Sequence, residues 1–239
     1  MTPLKFTLDF RINGQTAPFF FLALNKGCYT DEGMDVSIDV GAGSVTSITR
    51  IASRVYQMCL GDVSSLVEFN AKNPGTSAVQ ALYHYYNRAP FVIIGRKDRG
   101  ITTDFRSLEG KKIAAAAVEF IRLAWPMVAL KLRVKSDLFS WTTTDFRSRD
   151  NVAVLGDVDG VTYFHDSAVS LFARLKTDDL AALSYANAGV NPDHNAILAS
   201  SNLIAQNPKV AAAFLRVTNR SLVDTFANPA PAIAAIKHH

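Results

Sequence analysis

The feature that most constrains the fold is a regular alternation of short strand-like and helix-like segments along the chain. Every second residue is apolar in segments such as Leu4–Phe10 and Met34–Val40, whereas apolar residues recur every three or four positions in Val45–Val55. These two periods are typical of half-buried strands and of amphipathic helices, respectively. Strands that alternate with helices in this way predict parallel α/β sheets. The 239 residues suffice for one large domain or for two lobes.

One stretch, Lys26–Ser44, combines several of these signals. Gly27 stands where a helix commonly ends in the left-handed conformation, and a strand follows it. Gly41–Ser44 is a turn of small residues that opens the next helix. Backbone N–H groups at such a turn can hold an anion or a polar head group, and the same turn can equally serve close packing. Gly43 and Ser44 are therefore ligand-binding candidates beside that packing interpretation.

The composition is that of an ordinary globular protein, with 49% hydrophobic and 19% charged residues. No apolar run reaches the roughly 18 residues that a membrane-spanning helix requires. The net charge of +4 comes from scattered basic residues, which argues against nucleic acid as a partner. Cys28 and Cys59 allow either one disulfide or two free thiols. No signal peptide follows Met1, and the terminal His238 and His239 resemble an affinity tag.

The pattern changes character near residue 88 and again near residue 190. We expect a discontinuous first lobe made of residues 1–88 and 193–239, and a second lobe made of residues 89–192. Two strand-like crossings between the lobes would form a hinge and leave a cleft. Clefts between lobes are favoured sites for small ligands.

Five stretches resemble, in the same order, the substrate-binding proteins of ABC transporters in the branch that serves nitrate, sulfonates, taurine and the pyrimidine precursor of thiamine. They read LDFRINGQTAPFFFLALNKGCYTDEGMDVSIDVGAGS, CLGDVSSLVEFNAKNPG, DRGITTDFRSLEGKKIAAA, GDVDGVTYFHDSAVSLFA and SSNLIAQNPKVAAAFLRVTNRSL. The resemblance implies an α/β, two-lobe, type II periplasmic-binding-protein fold with a two-strand hinge. It also implies a small-molecule ligand, no cofactor, an ABC permease as partner, a monomeric state, and a periplasmic location after removal of a leader.

Three departures from the family pattern bear on the ligand more than on the fold. The family usually extends well beyond the last helix of this chain, and Cys28 stands where an aromatic residue is usual. The segment 191–195 is polar where the family commonly carries a Tyr-Gly pair.

Polar residues follow the first predicted strand at its carboxyl end, where open α/β sheets bind their ligands. We expect Arg11, Asn13 and Gln15 to contact ligand there, and Arg11 suits a carboxylate or a sulfonate. Of Phe19 and Phe20, one is expected in the core and the other against a planar ligand.

A strand predicted over Tyr56–Leu60 leads into a helix capped by Asp62. Ser64 is the better ligand-binding candidate at this helix start, because it offers both an N–H and a hydroxyl.

In the second lobe, the resemblance implies that the turn before a helix presents amide groups to the ligand. Glu119, Phe120 and Arg122 are candidates there, and Glu119 could also serve only the helix dipole. A further helix is predicted from Thr144 towards Val152. The remaining candidates lie at strand ends and on the return to the first lobe; they are Tyr163, His165, Tyr185 and Asn191.

The function expected is the capture of a small polar solute, aromatic or anionic in character, for uptake by an ABC transporter. Two alternatives stay open, namely the pyrimidine synthase of thiamine biosynthesis on the same fold and a ligand-sensing domain of a regulator. The synthase uses a cysteine-rich motif and a lysine that holds pyridoxal phosphate, and CLGDVSSL contains no lysine. We therefore expect no enzymatic activity. His165 and His194 would bind a metal only if the fold brought them together with a carboxylate.

Overall fold

The computed structural model of the protein describes residues 1–12, 17–74, 79–84, 86, 88–117, 119–146, 148–192 and 194–237. The chain divides into two compact units. Unit 1 comprises Met1–Asn87 and Asp193–His239, and unit 2 comprises Arg88–Pro192.

Each unit is built from alternating strands and helices. The first part of unit 1 contains β1 (Thr2–Thr7), α1 (Pro18–Asn25), α2 (Cys28–Asp31), β2 (Met34–Asp39), α3 (Ser44–Ala52), β3 (Met58–Asp62), α4 (Val63–Lys72) and β4 (Val79–His84). Unit 2 contains β5 (Phe91–Arg96), β6 (Lys112–Ala115), α5 (Phe120–Leu132), β7 (Ser140–Thr143), α6 (Arg149–Leu155), β8 (Gly160–Phe164), α7 (Val169–Phe172) and β9 (Leu180–Ser184). The chain then completes unit 1 with β10 (Asn195–Ser200), α8 (Ser201–Gln206), α9 (Pro208–Ala227) and α10 (Pro229–Ile236).

Each unit holds one five-stranded sheet, with the order β2-β1-β3-β10-β4 in unit 1 and β7-β6-β8-β5-β9 in unit 2. The prediction of parallel sheets is wrong for one strand in each. β10 runs antiparallel to β3 and β4, and β5 runs antiparallel to β8 and β9. β5 and β10 are the first strands after the chain passes between units, and no described residue between them and the preceding strand is helical. A helical crossover is what makes successive strands parallel, so the rule does not apply at these two steps.

The core of unit 1 is aromatic. The ring of Phe6 on β1 lies 4.7 Å from that of Phe20 on α1 and 5.1 Å from that of Phe214 on α9. The ring of Tyr29 stacks on that of Phe214, with centroids 5.2 Å apart. These contacts fix α1 and α9 on one face of the sheet.

Unit 2 has a comparable aromatic core beneath α5. Trp125 packs against Phe139 at 4.6 Å and donates its indole N–H to the carbonyl of Ser136 at 2.7 Å. The ring centroid of Phe105 lies 6.1 Å from that of Trp125 and 6.0 Å from that of Tyr185. The core therefore satisfies the polar end of the tryptophan as well as burying its ring.

Several boundaries differ from those predicted, and those of β3 and α6 are examples. β3 covers Met58–Asp62 rather than Tyr56–Leu60, because an apolar run of this length does not by itself mark where pairing begins. α6 begins at Arg149, well after Thr144. The Asp145 carboxylate accepts hydrogen bonds from the backbone N–H and the hydroxyl of Ser148, which forms a turn before the helix.

Both cysteines are free thiols, and burial raises the pKa of the Cys59 thiol well above its usual value. Within the described ranges, no helix combines the length and apolar character needed to cross a lipid bilayer.

Two phenylalanines on α9 provide a test of the unit 1 core. Phe214 is fully buried, so Phe214→Ala is expected to lower the free energy of unfolding by about 3–5 kcal/mol. Phe226 is 81% exposed, and Phe226→Ala should change it by no more than about 0.5 kcal/mol. Urea unfolding followed by circular dichroism measures both. Equal effects of the two substitutions would contradict the assigned core.

Candidate functional site

In unit 1 the carboxyl ends of β2, β1 and β3 lie side by side, and the antiparallel strand β10 begins at the same edge. Several polar residues are buried at this edge, and four of them, each with less than a tenth of its surface exposed, carry an ionisable or amide group. Asp9 lies two residues beyond β1, and Asp62 is the last residue of β3. Asn195 is the first residue of β10 and pairs with Asp62 across the ladder. We call Asp9, Asp62, His194 and Asn195 the unit 1 polar cluster.

The unit 1 polar cluster consists of two hydrogen-bonded pairs, which are linked by the chain through the adjacent residues His194 and Asn195. The amide nitrogen of Asn195 donates to Asp9 Oδ2 at 2.7 Å, and His194 Nδ1 lies 3.4 Å from Asp62 Oδ2. The other oxygen of Asp62 accepts from the backbone N–H of Ser65 at 2.7 Å, which confirms Asp62 as the N-cap of α4. The backbone N–H of His194 donates to Nε2 of His84, at the end of β4. Four strand ends thus contribute to one network.

Burial is the largest influence on the Asp9 carboxyl. Desolvation raises the pKa of the Asp9 carboxyl above its ordinary value. The hydrogen bond from Asn195 and the charge of His194 lower it, whereas the charge of Asp62 raises it further. The cluster therefore holds Asp9 at a cost in stability whenever that carboxyl is ionised.

The glycine turn between β2 and α3 packs directly against this edge. A side chain at Gly41 would collide with the carbonyl oxygen of Leu8, at 2.0 Å. Gly43 has a φ of 110° and donates its N–H to the carbonyl of Asp9 at 2.6 Å. The hydroxyl of Ser44 accepts from the backbone N–H of Asp62 at 3.0 Å. The turn therefore buttresses the unit 1 polar cluster, as the packing interpretation predicts.

The other unit 1 candidates fall into three groups. Arg11 is exposed, with its guanidinium 5.5 Å from the ring centroid of Phe10, and Ser64 is half-buried in the first turn of α4. Both lie at the edge that carries the cluster. Phe19 and Phe20 are both buried in the aromatic core. Asn13 and Gln15 lie outside the described residues.

In unit 2 the corresponding edge carries a buried ion pair. Glu119 precedes α5 and Arg149 begins α6, and Nη1 of Arg149 lies 3.0 Å from Oε1 of Glu119. The hydroxyl of Thr162 donates to Oε2 of Glu119 at 2.6 Å. The guanidinium of Arg149 also lies 3.9 Å from the ring centroid of Tyr163. Glu119 thus contributes an ion pair, beyond the helix-dipole role considered for it.

Burial lowers the pKa of Arg149, and the charge of Glu119 raises it. Arg149 Nε is buried without a hydrogen-bond partner among the described residues. Each charge of the Glu119–Arg149 pair is therefore buried and depends on the other for its compensation.

The remaining unit 2 candidates lie around the same edge. Phe120 packs 5.4 Å from Phe91, and Arg122 donates to the hydroxyl of Thr143 at 2.9 Å. His165 is exposed just beyond β8. Two candidates have buried tyrosine rings: the hydroxyl of Tyr163 donates to Asp150, and that of Tyr185 donates to the carbonyl of Ile121. Asn191 is exposed and accepts from the backbone N–H of Ala89 at 2.7 Å.

Sequence reasoning did not single out several residues of these two networks, among them Asp9, Arg149, Asn195 and Thr162. Asp9 falls within the predicted strand Leu4–Phe10, whereas β1 ends at Thr7. A polar residue one or two positions beyond an apolar strand is a usable signal for Asp9. Arg149 and Asn195 carry no comparable signal, because their partners are 30 and 186 residues away in the chain. Among the residues described, no group of His, Cys, Asp and Glu has the arrangement of a metal site.

Comparisons with known proteins agree with this architecture. A model of the family described as NMT1/THI5 like matches residues 13–232. No curated protein matches the chain in sequence.

Solved structures share the fold over the whole chain. The periplasmic aliphatic sulphonate binding protein SsuA of Escherichia coli has a TM-score of 0.78 at 14% identity, covering 99% of this chain and 73% of that protein. The alkanesulfonate-binding protein SsuA of Xanthomonas axonopodis pv. citri, bound to MOPS, has a TM-score of 0.73 at 10% identity, with 100% and 79% covered. The CA3427 gene product of Candida albicans, described as having the generic periplasmic binding protein structural fold, has a TM-score of 0.71 at 15% identity, with 100% and 76% covered. The predicted fold class is confirmed.

The Glu119–Arg149 pair yields a stability prediction. Arg149→Met should lower the free energy of unfolding by about 3–5 kcal/mol, because it leaves the Glu119 carboxylate buried without its cation. The double variant Glu119→Leu/Arg149→Met should recover part of that loss, since it buries no charge. Lys72→Met, which breaks the exposed pair with Glu68, should cost no more than about 0.5 kcal/mol. Chemical denaturation measures all three, and a double variant less stable than Arg149→Met alone would contradict the interpretation.

Asp9 yields a prediction about pH. Because the folded-state pKa of Asp9 is raised, its stabilising contribution is present at low pH and is lost as pH rises through that pKa. Asp9→Asn keeps an acceptor for Asn195 and should raise the melting temperature at pH 7, with a gain that shrinks as pH falls. Asp35→Asn, an exposed change on β2, should show no such trend. Melting curves from about pH 4 to 8 test this; a lower melting temperature for Asp9→Asn at pH 7 would count against it.

Proposed function

Because the chain belongs to the NMT1/THI5-like family, we propose that it is a solute-binding protein that captures a small polar organic molecule and delivers it to an ABC permease. The observation that carries the proposal is the burial of polar groups at the carboxyl ends of strands in both units. Open α/β sheets bind ligands at this edge. The interlobe cleft expected from the sequence stays a prediction.

The contacts we propose in unit 1 are Arg11, the Gly43–Ser44 turn and the start of α4 at Ser64, together with Asn13 and Gln15. Arg11 is exposed at the edge and would supply a charge-assisted hydrogen bond to an acidic group of the solute. Ser64 has the position, at a helix N-terminus, to meet a polar group.

In unit 2 we propose contacts from the region where β6 leads into α5 and from the ends of the neighbouring strands. Glu119 and Phe120 lie at the start of α5, and Arg122 lies within its first turn. Tyr163 and Tyr185 support this edge with buried rings, while His165 and Asn191 are exposed beside it. Phe19 and Phe20 are left to the core.

The class of solute and the cellular location of the protein are proposed by analogy with the two SsuA proteins. The two SsuA proteins are described as binding aliphatic sulphonates and alkanesulfonates, so a small organic acid is a reasonable first class of ligand. We also propose a periplasmic location, as described for the Escherichia coli protein, a monomeric state, and a role without bond making or breaking. The absence of a lysine from Cys59–Leu66 supports the last point against the synthase alternative.

A thermal-shift screen tests the function. Sulfonates, aromatic carboxylates and analogues of the thiamine pyrimidine form the panel. A solute at about 100 times its Kd adds about 2.7 kcal/mol of stability. For a chain of this size that corresponds to a rise of about 5–10 °C in the melting temperature. No rise with any class would contradict the proposal.

The same ligand then tests the unit 1 contacts. If it is anionic, Arg11→Ala should weaken binding by about 10- to 100-fold, because a charge-assisted hydrogen bond contributes about 1.5–3 kcal/mol. Arg220→Ala removes an exposed arginine on α9 and is the matched control. Titration calorimetry measures both, and equal affinities for the two variants would exclude Arg11 from the site.

A further inference from the structure

The unit 1 polar cluster contains more acceptors than donors. Asp9 and Asp62 contribute carboxylate oxygens, and Asn195 contributes a carbonyl oxygen. Among the described residues, the donors to these groups include the Asn195 amide nitrogen, the backbone N–H of Ser65, the ring of His194 and a backbone N–H that bonds the Asp9 carboxyl. The imbalance leaves the cluster able to accept further hydrogen bonds.

Asn195 shows where an acceptor is open. Its side chain is 1% exposed, and its nitrogen is held by Asp9, which fixes the direction of its oxygen. That oxygen, Oδ1, is buried and has no hydrogen-bond partner among the residues that the structure describes. Buried carbonyl oxygens in folded proteins are nearly always paired, so a missing partner at a ligand-binding edge points to a donor from outside the chain.

Charge points to the same kind of partner. Two carboxyl groups lie in one buried cluster, and the charge of Asp62 disfavours ionisation of Asp9. The charge of His194 already lowers the pKa of Asp9, and a further positive charge beside the two carboxyl groups would offset more of this repulsion. The ring of Tyr86 lies 5.0 Å from the ring of His194 and adds an aromatic face of the kind that attracts organic cations.

We propose that the unit 1 polar cluster is a subsite for a nitrogen cation of the solute, an ammonium or amidinium group that donates hydrogen bonds to Asn195 Oδ1 and to the Asp9 carboxylate. The proposal deepens the proposed function and rests on it. A metal ion is a poorer fit, because the described residues hold no group of three or more metal-ligating side chains in a suitable arrangement. An acidic part of the same solute would remain for Arg11.

Matched pairs of small molecules test the subsite. Benzamidine and benzamide share a ring and a shape, as do benzylamine and benzyl alcohol, but only the first member of each pair is a cation at neutral pH. Ligand-observed NMR titration at pH 7.5 gives the affinity of each for the wild-type protein. We expect at least one cation to bind about tenfold or more tightly than its neutral partner, in keeping with a charge-assisted hydrogen bond.

Two variants assign that binding to the cluster. Asp9→Asn removes the charge and supplies an amide that can donate to Asn195 Oδ1, so cation affinity should fall about tenfold or more. Asp62→Asn keeps a good N-cap for α4 and is the second variant if the first does not fold. Asp35→Asn, exposed on β2, removes one negative charge from the same unit and should leave affinity unchanged.

The results of these titrations decide whether the cation subsite exists. Equal affinity for the members of both pairs, unchanged cation binding in the variant that folds, or no binding by any of the four compounds would overturn the subsite. If the thermal-shift screen still finds a solute in these cases, the proposed function stands and the subsite alone fails. If that screen also finds none, both proposals fail.

Discussion

The architecture of unit 1 depends on the insertion of β10 between β3 and β4. This strand is the first after the chain returns from unit 2, and it pairs antiparallel with both neighbours. Without it, the sheet would separate into a three-stranded part and an isolated β4. The register between β10 and β3 also places Asn195 opposite Asp62, at the carboxyl ends of the parallel strands. The backbone ladder and the polar cluster are therefore consequences of one pairing.

Both units bury ionisable side chains at positions where apolar side chains would cost less stability. The Glu119–Arg149 pair and the unit 1 polar cluster each lie at a strand edge, and each contains a group whose pKa is displaced by burial. Proteins commonly sacrifice stability in this way at sites that must recognise a ligand. The aromatic cores beneath α1 and α5 supply the stability that offsets this cost.

Features that depend on local chemistry were predictable from the sequence. Gly27 adopts the left-handed conformation at φ 72°, and Asp62 caps α4, because each role depends on a residue and its near neighbours. The strand direction of β5 and β10 was not predictable from alternation, since the described residues that lead into each strand contain no helical crossover. The start of α6 was misplaced because a local turn at Asp145 competed with the helix.

By itself, the sequence determined the α/β class, the succession of most elements and the family, because hydrophobic period, caps and ordered motifs are properties of contiguous residues. It also indicated which polar residues lie at the carboxyl ends of strands, since that position depends only on the residues that follow each strand. Only the tertiary structure decided which side chains meet there. Asn195 reaches Asp9 across 186 residues, and Arg149 reaches Glu119 across 30, through strand order and register. Such pairings depend on the packing of whole elements, so no short stretch of sequence encodes them.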